Sequence, residues 1–458
     1  MRLNWIQVLL SVSLLFQLND RADAQAHPLA PAFSSNPGAP YTVYLDFSGF
    51  AYNGTWSGTT MGTEPAYNGE TGATFTAAEQ ANIKNIWTRI AEQYSPYNVN
   101  ITTVDPAVAA GQNANDATRQ AYYDATARLM HTVIGDTSSS SIFPGAGGIS
   151  FVGVISSAQS NGLHTNWVFT NRLGGAGAFH NIGTASAHED GHSFGLWHQA
   201  DYIGSVLQGN GYSTNNNSAS IAPTMGVSYN AARPAWRLGD ANINGTKGTQ
   251  NDPLVILGNS GIGNFVNDGI GHTQFTASLL PLAGNSINFN LAKGIIVPVS
   301  SAAPNPIGES NYTTDFFSFS TTGGVNTVNL VAGRQSITPG VADPDPMLDG
   351  TLRILDSIGN ILGTANTASL GETLSLNLGA GNYFIEVSSA GGKAADTNGG
   401  VWDPASFYDM GSYFLTGTIV AVPEPTTIAL FGIVLIAGGL QYRRLRQQRQ
   451  KAIDQRLS

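Results

Sequence analysis

One stretch restricts the possible folds more than any other: His188-Glu189-Asp190-Gly191-His192-Ser193-Phe194-Gly195-Leu196-Trp197-His198. His188 and His192 are four residues apart, so a helix puts both imidazoles on one face, at the separation two ligands of a single Zn²⁺ need. Glu189, one residue on, can reach a water at that metal without occupying the metal. Gly195 lets the helix end through a left-handed residue. The chain then returns sharply, and His198 comes back as a third ligand. Three neutral nitrogens leave a fourth position for water, which the metal acidifies and Glu189 can deprotonate. The five fixed residues of this pattern arise by chance in on the order of 1 in 100,000 sequences of this composition, which sets aside an accidental run of histidines.

Composition narrows the alternatives. The chain has 458 residues and no cysteine, so any metal is held by His, Asp or Glu, and a disulfide scaffold, a cysteine nucleophile and a thiolate site are excluded. Twenty bases against 30 acids argue against a nucleic-acid partner. With 54 Gly and only 11% charged residues, the chain is expected to be β-rich and to present an extracytoplasmic surface.

The two ends look like addresses. Arg2, an apolar run from Trp5 to Leu18, and Ala22-Asp23-Ala24 form a secretory leader over residues 1–24, with a buried N-terminal helix as the competing reading. Near the other end, Val422-Pro423-Glu424-Pro425 precedes an apolar stretch from Ile428 to Leu440 and a basic cluster of Arg443, Arg444, Arg446, Arg449 and Lys451. Such charges stay cytoplasmic, which places the body outside. Without leader and tail, 12 bases and 26 acids remain, a net charge of −14. The order Pro-Glu-Pro, short hydrophobic segment, basic tail resembles the PEP-CTERM sorting signal of Gram-negative bacteria; a plain tail anchor is the alternative. The resemblance implies secretion machinery and an exosortase-type enzyme as partners, and transient anchoring to the inner membrane over residues 422–458. The destination is then the cell surface or extracellular matrix.

Between the ends, residues 25–39 read as a flexible leading segment. Residues 40–262 read as an α/β (α+β) unit with a twisted mixed sheet. Its expected elements are a strand at Tyr41–Phe47, a helix at Thr76–Tyr94 opened by a Thr76/Glu79 capping box, and strands at Asn98–Val104, Arg128–Gly135, Gly148–Ile155 and Trp167–Thr170. The motif helix should run from about Ile182 to Leu196, and Thr249–Leu257 is expected as a short closing helix. Residues 267–420 show short alternating runs separated by turns, the pattern of an all-β sandwich.

The histidine motif is that of the metzincin zinc metalloproteases. That resemblance implies a methionine turn beneath the metal, and Pro223-Thr224-Met225-Gly226 fits it, with Met225 as the floor. It implies a Zn²⁺ held by His188, His192 and His198, with Glu189 as general base and acid. The position two residues past the methionine, a Tyr in some members, is Val227 here; Tyr229 lies two further on, its role open. The resemblance further implies an edge strand that pairs with substrate. Gly148 to Val154 is the candidate, with Gly148, Ser150, Val152 and Tyr229 as substrate contacts, and an ordinary core strand is the competing reading. Phe194 would shape the S1′ pocket. No cysteine switch is possible, so export without a large inhibitory domain is expected.

Two further metal signals are weaker. Asp240-Ala241-Asn242-Ile243-Asn244-Gly245 begins like a calcium loop, though an Asn/Gly surface loop competes. Asp343, Asp345 and Asp349 form a second possible Ca²⁺ group, or a solvated acidic loop. The C-terminal region resembles the bacterial prepeptidase C-terminal domain through Asp315-Phe316-Phe317-Ser318-Phe319, Leu355-Asp356-Ser357-Ile358-Gly359 and Gly379-Ala380-Gly381-Asn382-Tyr383. It reads as a spacer, a polymer-binding module or a processed segment. The function expected is a secreted zinc endopeptidase acting on a protein or peptide; a non-catalytic surface or matrix protein keeping the same fold is the alternative. A closed structural zinc site fits less well, because only three ligands are visible and such sites take four.

Overall fold

The computed structural model describes residues 28–136, 143, 145–159, 162–208, 221–231, 233–299, 311–335, 338–342, 346–391 and 408–421. The leader, the 422–458 segment and the Asp343–Asp345 pair lie outside the described residues. The chain is mixed α/β, strand-rich, with several sheets and few helices.

The first sheet has five strands. Val99–Thr102, Tyr41–Asp46, Leu129–Gly135 and Thr165–Phe169 run parallel in that spatial order, and Gly148–Ile149 closes one edge antiparallel to Thr165–Phe169. The strands are near-continuously buried, as expected for a parallel sheet. The helix Ala77–Gln93 packs against the motif helix Phe179–Ser193. Its start is built as the sequence suggests: the Thr76 hydroxyl accepts from the Glu79 N–H, and the Glu79 carboxylate accepts from the Thr76 N–H.

Three expectations are corrected here, in the leading segment, the edge strand and the closing helix. Residues 28–39 do not hang free: the Ser35 N–H donates to the Ile101 carbonyl, the Phe33 carbonyl accepts from the Thr103 N–H, and the Phe33 ring stacks on Trp87. The predicted strand Gly148–Ile155 is a strand only over Gly148–Ile149; beyond it the chain turns onto the end of the motif helix, where the Gly153 and Ile155 N–H groups donate to His192 and Ser193 carbonyls. The calcium-like stretch forms a hairpin of Leu238–Ile243 with Thr246–Asn251. Asn244 and Gly245 both have positive φ (49° and 81°), the backbone of a tight two-residue hairpin turn. Asp240 pairs with Lys247 across that hairpin. The expected closing helix therefore begins only at Asp252, since Thr249 belongs to the hairpin.

The C-terminal region holds two sheets around a common apolar core. One contains Asp315–Thr321, Gly381–Ser389, Gly350–Asp356 and Ile361–Ala365. The other contains Gly411–Thr418, Gly324–Ala332 and Glu372–Leu378. Gly324–Ala332 alternates inward Asn326, Val328, Leu330 and Ala332 with outward neighbours, the period that fixes register when one face is buried.

The two regions meet along a buried polar seam. Arg233 donates to Asp409 Oδ1 and to the Met347 carbonyl, both at 2.9 Å. The Ser412 N–H donates to Glu92 at the end of the long helix, and Arg334 donates to the Ala91 carbonyl. The Tyr408 N–H donates to the Trp236 carbonyl.

Candidate metal centre

The motif helix runs over Phe179–Ser193, three residues earlier at each end than the expected Ile182–Leu196, and stops at the glycine the sequence points to. The Leu196 N–H reaches back to the Gly191 carbonyl and the Gly195 N–H to that of His192, with Gly195 at φ 105°. This is the Schellman arrangement, which reverses the chain within two residues. Residues His198–Gln199 then pair antiparallel with Ala241 and Asn242 of the hairpin, so the third histidine stands on a strand.

The turn brings the three imidazoles together. Among the described residues, His188, His192 and His198 are the group whose ligand atoms converge, all within 4.8 Å of one another. His188 Nδ1 lies 2.9 Å from the Thr224 carbonyl and His192 Nδ1 lies 2.7 Å from the Leu196 carbonyl. A carbonyl accepts only, so Nδ1 carries the proton and Nε2 keeps its lone pair for a metal. His192 Nε2 faces His198 Nε2 at 3.0 Å, a meeting that a shared cation satisfies. Burial lowers the pKa of His192 to about 4, and burial with the neighbouring His192 lowers that of His198 to about 3. His188 is lowered well below its ordinary value by burial and by the other two rings. All three are neutral donors at pH 7, as Zn²⁺ requires.

Met225 is fully buried. A Cβ on Gly191, immediately before His192, would lie 2.6 Å from its sulfur, so the thioether packs on the helix backbone under the site. The Gly226 N–H donates to the Pro223 carbonyl and closes the turn.

Glu189 is not among the converging atoms. It is buried beside Gly148, where a Cβ would fall 2.7 Å from its Cγ and 2.8 Å from Oε1. Burial and the adjacent Asp190 raise its pKa well above the ordinary carboxylate value. The Tyr229 hydroxyl stands beside Gly147, so Tyr229, Gly148 and Glu189 line the same edge. Ser150 and Val152 do not continue that edge strand. The Ser150 hydroxyl turns inward to Asn166 and Ser193. Phe194, expected at the pocket, is buried against Tyr41 and Tyr94 in the core. Gly148→Ala is therefore expected to displace the Glu189 carboxylate and lower any hydrolytic activity while the three histidines still bind metal, which parallel activity and metal assays would check.

Sequence reasoning missed the residues that brace the elements carrying the three histidines. Asp190 projects to the sheet side, accepting from Thr132 Oγ1 (2.5 Å) and Asn166 Nδ2 (3.1 Å), and burial raises its pKa to about 7. The Gln250 side chain clamps the Trp197 peptide, accepting from its N–H and donating to its carbonyl, both at 2.8 Å. Gln250 and Gln199 both donate to Asp252, whose pKa burial raises to about 6. Because the folded form holds this proton more tightly than the unfolded chain, stability from Asp252 is present below about pH 4 and is lost as pH rises to about 6. Asp252→Asn should flatten the stability slope across that window, read by denaturant unfolding at several pH values.

Comparisons with known proteins bear mainly on the C-terminal parts. A search of curated proteins found no match. Among solved structures, the chain is similar to the pre-peptidase C-terminal domain of collagenase from Bacillus anthracis, at 14% identity, covering 29% of this chain and 86% of that one, with a TM-score of 0.15. The PEP-CTERM protein-sorting motif matches residues 421–444. The chain thus carries a signal that implies export, C-terminal membrane anchoring in a Gram-negative bacterium and recognition by an exosortase-type processing enzyme.

Proposed function

We propose that this chain is an exported zinc endopeptidase of metzincin type. The observation that carries the reading is the convergence of His188, His192 and His198, with Nδ1 of the first two bound to carbonyls and Nε2 left for a metal. When bound, Zn²⁺ would supply Lewis acidity toward a carbonyl oxygen and a water. Glu189 takes the proton of the attacking water and returns it to the leaving amine; its carboxyl is buried beside the Gly148 edge, where a peptide substrate would lie. The edge at Gly148–Ile149 offers backbone groups to an extended peptide, and the Tyr229 hydroxyl lies beside that edge. Met225 keeps the floor apolar and rigid. The substrate is a protein or peptide met outside the inner membrane, at the cell surface or in the extracellular matrix.

Metal analysis and a peptide-library cleavage profile of the exported protein test this. Bound zinc, with cleavage lost on chelation and restored by zinc, is the expected result. A metal-free protein, or cleavage indifferent to chelation, overturns it.

A further inference from the structure

The C-terminal sandwich has two unlike ends. At one, Arg334, Met347, Asp409 and Ser412 meet the α/β region. The strand Gly411–Thr418 leaves that seam and runs the length of the sandwich to the other end. There Ala421 bridges to Thr321, and the Ala421 N–H bonds to Asn285. The chain therefore departs toward the sorting segment from the end opposite the catalytic region.

That far end is poor in charge and rich in exposed apolar side chains. Phe275, Ile358, Leu279, Val325, Ile361 and Leu362 are all exposed there, the first two at 102% and 81%. Register places them together. Leu279, Ser318, Phe384, Leu355 and Ile361 form one row across the sheet, and Ile358 lies in the turn beyond it. A Cβ on Gly359 would lie 3.2 Å from the Gln274 amide, which puts Phe275 beside the same turn. Across residues 275–287, 318–327, 355–365, 376–384 and 417–421 the one charged side chain is Asp356. Its carboxylate is bound by the Ile358 and Asn360 N–H groups and the Asn360 amide, so the turn presents Ile358 on a stiff frame.

We infer that this end of the sandwich is a lipid-facing surface, seated on the membrane that holds the C-terminal segment, with Ile358 and Phe275 dipping into the interface. The occupant follows from where the chain goes. From Ala421 to Ile428, where the apolar segment begins, an extended chain spans at most about 25 Å. So short a tether holds this end, and not the catalytic end, against the bilayer. Charge agrees: a body of net −14 is repelled by anionic lipid, and the approach with almost no acid is this one. Apolar side chains on a rigid turn gain by entering the headgroup boundary. The sandwich then acts as a spacer that points the metal site away from the membrane while the tail is intact. The inference does not depend on the zinc reading.

The chain has no cysteine, so a single introduced thiol is a unique probe position. Ile358→Cys, Phe275→Cys and, as a control at the catalytic end, Val341→Cys would each be labelled with an environment-sensitive fluorophore. Each full-length protein would be reconstituted through its tail into phosphatidylethanolamine/phosphatidylglycerol vesicles, with and without bromine on the acyl chains. A blue shift and strong bromolipid quenching at 358 and 275, with the 341 probe unchanged, is the expected result. Equal quenching at all three positions, or none at 358 and 275, overturns it. All three sites are exposed, so the substitutions leave the fold intact.

Discussion

Glu189→Ala should keep its zinc and lose peptide hydrolysis by about 10²–10⁴-fold, the range that a positioned general acid–base group supplies. The geometry separates the two outcomes. The converging ligand atoms belong to His188, His192 and His198, while Glu189 lies against Gly148. Removing its carboxylate leaves the ligands and their carbonyl partners, Thr224 and Leu196, untouched. His188→Ala should behave differently and lose metal and activity together. Metal content and turnover measured on the same preparations distinguish these patterns. An active Glu189→Ala enzyme would remove the proposed mechanism; a Glu189→Ala enzyme that also loses zinc would make the carboxylate a ligand.

The legible parts of this chain are those governed by local rules. The capping box at Thr76, the glycine stop at Gly195 and the i, i+4 histidine pair depend on a few adjacent residues, and each forms as the sequence implies. The principal strands of the sandwich were legible for the same reason, because alternation along Gly324–Ala332 records a one-sided core. What escaped depends on distant partners. Nothing near Gln250 signals that it will clamp the peptide of Trp197, and nothing near Asp190 signals Thr132 and Asn166. Ser150 and Val152 keep a strand-like alternation, so the sequence implies a longer edge strand than the Gly148–Ile149 that forms. The end of the motif helix claims the backbone that follows them, through Gly153 and Ile155. Asn244-Gly245 could have been recognised as a hairpin turn, since both residues tolerate positive φ.

The same long-range logic makes the seam between the two regions a second point of large effect. Asp409→Ala should destabilise the protein by about 3–5 kcal/mol, because it leaves a buried guanidinium without its counter-ion. Arg233 and Asp409 have side chains only 2% and 1% exposed, and Asp409 also accepts from the Asp349 N–H and the Ser389 hydroxyl. The damage should reach the three histidines. Arg233 opens the short strand Arg233–Ala235, which pairs in parallel with Ile221–Pro223, and the Ala235 carbonyl accepts from the Thr224 N–H. Thr224 in turn holds His188 through its carbonyl and Gln93 through its hydroxyl. Loosening Arg233 therefore loosens the turn at Met225 and the orientation of His188. Asp409→Ala is expected to lower zinc affinity as well as the denaturant midpoint. The paired change Arg233→Met with Asp409→Leu removes both charges and should recover most of the stability, since a buried ion pair can often be exchanged for apolar packing at little cost. If the paired variant regains stability but not zinc affinity, Arg233 acts on the site by orienting the turn. If Asp409→Ala unfolds no more readily than the parent, the seam does not hold the two regions together.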